Sequence, residues 1–124
     1  MFDDFEIIHR YTRAEAIADG VLVDVTAMAR EAGFRYPVAL TQAVWEKYVR
    51  VPPGIEAQDE AGRLWDVLWM LRYAIGRSQS DDALLFQLHV RNSNSAPELV
   101  TLRALCHADD DGQPCLTILM PTED

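Results

Sequence analysis

The sequence predicts an α+β domain in which N-terminal helices pack on a C-terminal antiparallel sheet of three to four strands. Up to about residue 77 most apolar residues recur every three or four positions, as in helices. After the polar segment SQSDD they alternate, as in strands. With 124 residues, 49% of them hydrophobic, residues 1–124 are expected to form a single domain with its own core.

The stretch YTRAEAIADG, residues 11–20, predicts a short helix. Thr12 and Glu15 fit a capping box, in which a hydroxyl and a carboxylate satisfy backbone amides of a helix over about 13–19. Gly20 stands where a left-handed C-terminal cap is expected. The helix should therefore begin after Thr12 and end before Gly20.

The residues VLVDV, 21–25, predict a buried strand that can add an edge or fourth strand to the sheet. Asp24 places a carboxylate inside this apolar strand, where a charge needs a partner. Thr26 is positioned to cap a second short helix, AMAREAG, which Gly33 ends.

The middle of the chain predicts two longer amphipathic helices. Pro37 can occupy the first turn of a helix over about 39–50, where apolar residues recur every three or four positions. VPPG breaks this pattern, and the longest helix is expected over about 57–77. Its predicted core stripe consists of Ala61, Leu64, Trp65, Leu68, Leu71 and Ile75.

Arg72 lies at the centre of that stripe, and a buried charge there requires a counter-charge. Asp24 and Asp66 are candidate partners for a structural ion pair with Arg72, and the sequence does not choose between them. The favoured alternative is that the arginine stem packs and its guanidinium reaches solvent. Trp69 and Tyr73 flank the stripe as core aromatics or, if exposed, as anchors for a protein partner.

Three antiparallel strands are expected in the last third of the chain, over 84–91, 98–106 and 115–120. The connections at 92–97 and 109–112 are rich in residues that form turns. The strands should therefore form a meander.

One face of this meander is predicted to be polar and to bind a small ligand. Pairing Val90 with Val100 places Thr101 opposite His89 and Arg103 opposite Gln87. Two arginines and a histidine on one surface of an acidic protein are suited to an anion or carboxylate. The simpler interpretation is the solvated face of a one-sided sheet. The predicted ligand-binding residues are Gln87, His89, Arg91, Thr101 and Arg103.

The cysteines predict neither a disulfide framework nor a metal site. Cys106 and His107 precede a turn that Cys115 follows. Matching the apolar faces of the two strands puts Cys106 and Cys115 on opposite sides of the sheet. Three candidate ligands at most are also too few for a closed zinc site. Free thiols, and no metal or other cofactor, are therefore expected.

The charge balance narrows the classes of partner. Twenty acidic and 11 basic residues give a net charge of −9, which disfavours direct binding of nucleic acid. No apolar run approaches the roughly 20 residues of a membrane span. The segment MFDDFEIIHR lacks the basic and apolar regions of a signal peptide, so a cytoplasmic protein is expected.

Acidic clusters at turns suggest a second kind of contact. Asp109, Asp110 and Asp111 are the densest of them within a predicted turn. They are interpreted as solvated turn residues or, together with Trp69 and Tyr73, as a partner interface. In the second case the carboxylates would imitate a phosphate backbone and occupy a nucleic-acid channel of another protein.

Four stretches, YTRAEAIADGVLVDVT, GFRYPVALTQAVWEKYV, RLWDVLWMLRYAI and LLFQLHVRN, together resemble a family of short acidic bacterial proteins of unknown function. Members of that family tend to be encoded on plasmids and other mobile elements. The resemblance implies an accessory protein that binds a host protein, such as a nucleic-acid-processing or defence enzyme, in the manner of an anti-restriction or anti-CRISPR inhibitor. It implies no catalytic residue.

Catalysis is not required by any motif, since nucleotide-binding glycine loops, the G-x-S-x-G motif and H-E-x-x-H are all absent from the sequence. We therefore favour a non-enzymatic binding protein. The alternative is a small-ligand-binding protein or enzyme that uses the polar sheet face around His89, Arg91 and Arg103. A homodimer contact through that face or through Trp69 is a further prediction.

Overall fold

Short helices and strands alternate in the first half of the chain, and one long helix separates them from a C-terminal meander. A computed structural model describes residues 11–79 and 82–123. The segment in which no signal peptide is expected, 1–10, lies outside the described residues. The elements are α1 (Arg13–Ala18), β1 (Leu22–Asp24), α2 (Thr26–Glu31), β2 (Val38–Thr41), α3 (Gln42–Val44), a π-helical turn (Trp45–Val49), α4 (Glu60–Arg77), β3 (Ala83–Val90), β4 (Glu98–Ala108) and β5 (Pro114–Leu119).

One five-stranded mixed sheet has the strand order β1-β2-β5-β4-β3. Three of its strand pairs are antiparallel, whereas β2 and β5 run parallel. The α+β class is thus confirmed, and the purely antiparallel sheet of three to four strands is wrong. The parallel pair was not predicted because β2 comes from a segment that was assigned to a helix.

The caps of α1 follow the sequence closely. The Thr12 hydroxyl accepts a hydrogen bond from the Glu15 amide at 3.0 Å, and Gly20 adopts a φ of +78° after the helix. Thr26, in contrast, is the first residue of α2 rather than its cap. Its hydroxyl donates to the Asp24 carboxylate and accepts from the Val38 amide at 3.1 Å. Thr26 therefore ties β1 to β2.

The helix predicted over 39–50 is wrong at its start, because Val38–Thr41 is the strand β2 between β1 and β5. Val38, Ala39 and Leu40 are all completely buried. A strand covered on both faces loses the polar alternation that marks strands, and Leu40 also fits the helical spacing of Val44. The helical part begins only at Gln42, capped by the Thr41 hydroxyl.

The long helix α4 begins three residues later than predicted, where the Asp59 carboxylate accepts from the Gly62 amide. Its buried side is rotated relative to the predicted stripe. Trp65 and Ile75 are exposed, and Val67 is completely buried instead. The residues of α4 that are buried are Arg63, Leu64, Val67, Leu68 and Leu71.

The meander is confirmed, with strand bounds that differ from the predicted ones by one or two residues and with a different register of β3 on β4. Leu88 rather than Val90 pairs with Val100, so β3 is shifted by two residues. An even shift leaves every side chain on its predicted face. Cys106 pairs with Leu116 and Cys115 lies one position away, so the two thiols are on opposite faces as predicted.

The core lies between α4 and one face of the sheet. Leu68 and Leu71 of α4 share a buried cluster with Phe86, Leu102 and Ile118 of the sheet. This packing points the opposite side of α4 toward solvent, and the aromatic residues on that side are therefore exposed.

Candidate functional site

The outer side of α4 carries three exposed aromatic residues at a spacing of four. Trp65, Trp69 and Tyr73 are 37%, 48% and 55% exposed. Two arginines of the same helix, Arg72 and Arg77, lie against them. We call these five residues the aromatic face. An exposed ridge of this composition is unusual, because burying large aromatic side chains is strongly favourable.

The side chains of the aromatic face hold one another in place. The rings of Trp65 and Trp69 stack with centroids 6.1 Å apart and planes 13° from parallel. The Arg72 guanidinium lies 5.7 Å from the centre of the Trp69 ring, and that of Arg77 lies 5.4 Å from the Tyr73 ring. Arg77 also donates a hydrogen bond to the Tyr73 hydroxyl at 2.7 Å. Cation–π contacts of this kind order side chains that would otherwise be free to rotate.

The local sequence explains why these residues point outward. The spacing of four keeps Trp65, Trp69 and Tyr73 on one side of a helix. Leu64, Leu68 and Leu71 occupy the adjacent side, which packs on the sheet. The prediction that Trp69 and Tyr73 flank the stripe left their exposure open, and the structure places both on the surface.

Asp24 and Arg72, predicted as an ion pair, are not joined, although both are within the described residues. The Asp24 carboxylate accepts from the backbone amide and the hydroxyl of Thr26, at the exposed end of β1. Arg72 lies across Gly33 and Trp69 instead. A strand of three residues at the sheet edge leaves Asp24 in solvent, so its charge needs no buried partner.

The residues of the predicted ligand-binding sheet face do not converge on one point. Gln87 donates to the Thr101 hydroxyl at 3.2 Å, and His89 pairs with Leu99. The even register shift separates Arg103 from Gln87 by placing it opposite Leu85.

The two arginines of that face are already engaged elsewhere. The Arg91 guanidinium donates to the Ser93 carbonyl and the Asn94 side chain in the loop after β3. That of Arg103 donates to the Glu123 carbonyl at 3.2 Å. His89 and Arg91 line a common hollow, whereas Arg103 lies opposite Leu85, four residues along β3 from His89.

In the acidic turn that was predicted as a partner interface, two of the three carboxylates accept hydrogen bonds from backbone amides of the protein itself. Asp110 accepts from the backbone amides of Arg13 and Ala14 at the start of α1, at 2.8 and 3.0 Å. These bonds lower the pKa of Asp110. Asp109 accepts from the amides of Asp111 and Gln113, which closes the turn.

One charged residue that the sequence analysis missed is Arg63, which is only 5% exposed. Its guanidinium donates to the carbonyls of Tyr48, Val49 and Arg91 and to the side chain of Asn92, and burial lowers its pKa. Arg63 stands four residues before Val67 and eight before Leu71, both buried, so this spacing could have indicated that Arg63 is buried as well. Arg63 joins α4, the π-helical turn and the end of β3.

Comparison with known proteins gives one match. The model of a family described as "Family of unknown function (DUF6573)" matches residues 1–124. The chain belongs to this family. No curated protein and no solved structure is similar to it at a significant level.

Because the DUF6573 family carries no assigned activity, chemistry must be judged from the side chains themselves. The residues 11–79 and 82–123 contain no group of three or more His, Cys, Asp or Glu side chains placed to hold a metal ion. No helix within these ranges is long and apolar enough to cross a membrane.

A second cluster in this DUF6573 member surrounds Thr117, beneath α1. The Arg13 guanidinium donates to the Thr117 hydroxyl and to the Leu116 carbonyl, and His107 Nε2 lies 2.8 Å from the same hydroxyl. Cys115 Sγ lies 3.7 Å from both nitrogens of the His107 ring, which aligns it with neither. Burial raises the pKa of the Cys115 thiol, so it stays protonated and is a poor nucleophile.

Proposed function

We propose that this protein is a non-enzymatic binding protein whose aromatic face docks on another protein. The observation that carries the proposal is the simultaneous exposure of Trp65, Trp69 and Tyr73 on one side of a rigid helix. Tryptophan, tyrosine and arginine are the residues that dominate the energetics of protein interfaces.

The aromatic face is suited to binding because little order has to be gained on association. Stacking of Trp65 on Trp69 and the contacts of Arg72 and Arg77 already restrict these side chains. Immobilising a free side chain at an interface costs about 0.5–1.5 kcal/mol, and preorganisation reduces this cost.

The charges indicate the chemistry of the partner. Arg72 and Arg77 make this side of α4 locally basic in a protein of net charge −9. A complementary surface would present apolar groups for the rings and carboxylates for the guanidinium groups. The resemblance to proteins of mobile elements favours a host protein, of the nucleic-acid-processing or defence kind, and hence an accessory or inhibitory role.

A pull-down with tagged protein from a bacterial lysate tests the proposal. We expect wild type and Leu99→Ala to retain the same protein and Trp69→Ala/Tyr73→Ala to lose it. Leu99 is the matched control because it is a large exposed residue on β4, outside the aromatic face. Equal retention by all three, or no specific retention by wild type, would count against the proposal.

The alternative, a small-ligand site or enzyme on the polar sheet face, has weaker geometric support. Arg91 and Arg103 are engaged by backbone carbonyls, and Arg103 lies away from His89, opposite Leu85. It predicts that Arg91→Ala/Arg103→Ala folds normally and loses its ligand, with thermal shift as the assay.

A further inference from the structure

A separate cavity of about 330 Å³ lies at one corner of the sheet, beside the last two turns of α4. The segment Gly33–Tyr36 and Ile75 form its walls. Its floor is formed by apolar or weakly polar residues of the three C-terminal strands, namely Leu84, Ala104, Cys106 and Leu116.

The cavity lies where the end of α4 meets small side chains of the sheet. Pairing of β3 with β4 continues through this corner to Ala83 and Leu105. The small side chains of Ala104 and Cys106 face this corner and leave space that leucines would fill. Apolar cavities of about 300–1,000 Å³ with a few polar groups are the usual form of small-molecule sites.

Two unpaired guanidinium groups, Arg35 and Arg72, line this cavity. Neither forms an ion pair or a hydrogen bond with another residue of the described ranges 11–79 and 82–123. Asp82 also lines the cavity without pairing with them, so among the residues that the structure describes two positive charges face one negative charge. The arginines therefore retain their donors for a ligand.

Gly33 allows Arg72 to take its position. A Cβ atom at Gly33 would stand 2.8 Å from Arg72 Cζ, closer than side-chain packing permits. The guanidinium thus lies across the loop that precedes β2, at the mouth of the cavity. Its planar donor edge matches the two oxygens of a carboxylate.

We infer that this cavity binds a monocarboxylate with a compact apolar body, such as a medium-chain fatty acid. The apolar chain would lie on Leu84, Ala104 and Leu116, and the carboxylate would pair with Arg35 and Arg72. A single negative charge matches the single excess positive charge. A nucleotide would bring several charges and a polar sugar to an apolar floor. This inference shares Arg72 with the aromatic face, but protection of Cys106 is measured without a protein partner, so the two proposals can fail separately.

Cys106 provides a direct reporter of occupancy. Its thiol is partly exposed and lines the cavity. Cys115 is fully buried on the other face of the sheet, and burial raises its pKa. A thiol reagent such as N-ethylmaleimide should therefore modify Cys106 first, at a rate that a bound ligand reduces.

The experiment measures the rate of Cys106 alkylation with increasing octanoate, with octanol and octylamine as probes of the same chain length. We expect octanoate to slow alkylation at least about fivefold in a saturable manner. Octanol, which is uncharged, and octylamine, which is cationic, should have little effect at the same concentration. Arg35→Gln/Arg72→Gln should weaken octanoate protection about tenfold or more, as loss of two charge-assisted hydrogen bonds implies.

Two further variants keep the test decisive. Arg30→Gln removes an exposed arginine that does not line the cavity, and it should bind octanoate as wild type does. Ala104→Leu fills the floor, so it should abolish protection while thermal unfolding shows a folded protein. Absence of protection by octanoate, equal protection by octanol, or unchanged protection in Arg35→Gln/Arg72→Gln would each overturn the inference.

Discussion

Replacing Arg63 by methionine is expected to destabilise the protein severely, although methionine matches the arginine stem in length. In the wild type, the guanidinium satisfies three backbone carbonyls and the side chain of Asn92, at 2.6–3.1 Å. A buried carbonyl left without a donor costs about 1–3 kcal/mol. Asn92 is exposed and can form a hydrogen bond with water instead. The loss of folding stability therefore comes from the three carbonyls, and it should be about 3–5 kcal/mol because water can hydrate them in part.

Urea unfolding followed by far-UV circular dichroism measures this loss. A change of that size is a large share of the roughly 5–15 kcal/mol by which a domain of this kind is stable. Arg63→Lys should fall between wild type and methionine, because one ammonium group cannot reach all four acceptors. Arg30→Met is the control, since Arg30 is exposed on α2. A loss below about 1 kcal/mol for Arg63→Met would refute the reasoning.

Two further stability predictions follow from the loops. Gly33→Ala should cost about 1–2 kcal/mol, mainly because φ is +98°, with a small addition because the new Cβ would displace the exposed Arg72 guanidinium, whereas Gly20→Ala should cost about 1 kcal/mol, since φ is +78° in open space. When Arg72→Ala is added to Gly33→Ala, urea unfolding should show recovery only of the stability lost through the contact with Arg72. Full recovery would contradict the expectation that the positive φ makes alanine unfavourable at this position. Backbone amides of Arg13 and Ala14 lower the pKa of Asp110, so its contribution to stability should be present above the unfolded pKa of about 3.9 and disappear as pH falls through the folded value. Asp110→Asn should therefore be less stable than wild type at pH 7, and the difference should shrink as the pH falls below about 3.9; a difference that grows on acidification would contradict this sign.

Strands β3 and β4 of the C-terminal meander could be predicted because each has one face that is more deeply buried than the other. Phe86, Leu88 and Val90 alternate with exposed residues, and that period is particular to a strand. The sequence determined the register of β3 on β4 less well. A shift of two residues keeps the same alternation of buried and exposed side chains and only exchanges one apolar pair for another. The faces of Cys106 and Cys115 were consequently right, whereas the opposition of Arg103 and Gln87 was wrong.

The strand β2 could not be predicted from periodicity. Val38, Ala39 and Leu40 are buried on both faces, so no polar residue marks a period of two. The parallel pairing with β5 depends on contacts across more than 70 residues of sequence. A pattern of neighbouring residues does not report such distant contacts. Its helical spacing therefore predicted that Leu40 belongs to the helix that follows.

The candidate site was only partly accessible from the sequence. Trp69 and Tyr73 were recognised as a pair, but the direction of the buried stripe decides whether they are core or surface. That direction is set by Val67 and the buried Arg63, and a charged residue in a core position is discounted by any hydrophobic pattern. The same rotation carries Arg72 out of the core to the mouth of the cavity.

The affinity of the retained partner for the aromatic face tests the central claim most directly. Isothermal titration calorimetry of that purified partner should show a loss of about 2 kcal/mol or more, roughly 30-fold in Kd, for Trp69→Ala relative to Leu99→Ala. Equal affinity of the two variants, with both folded, would contradict the proposal that the aromatic face binds the partner.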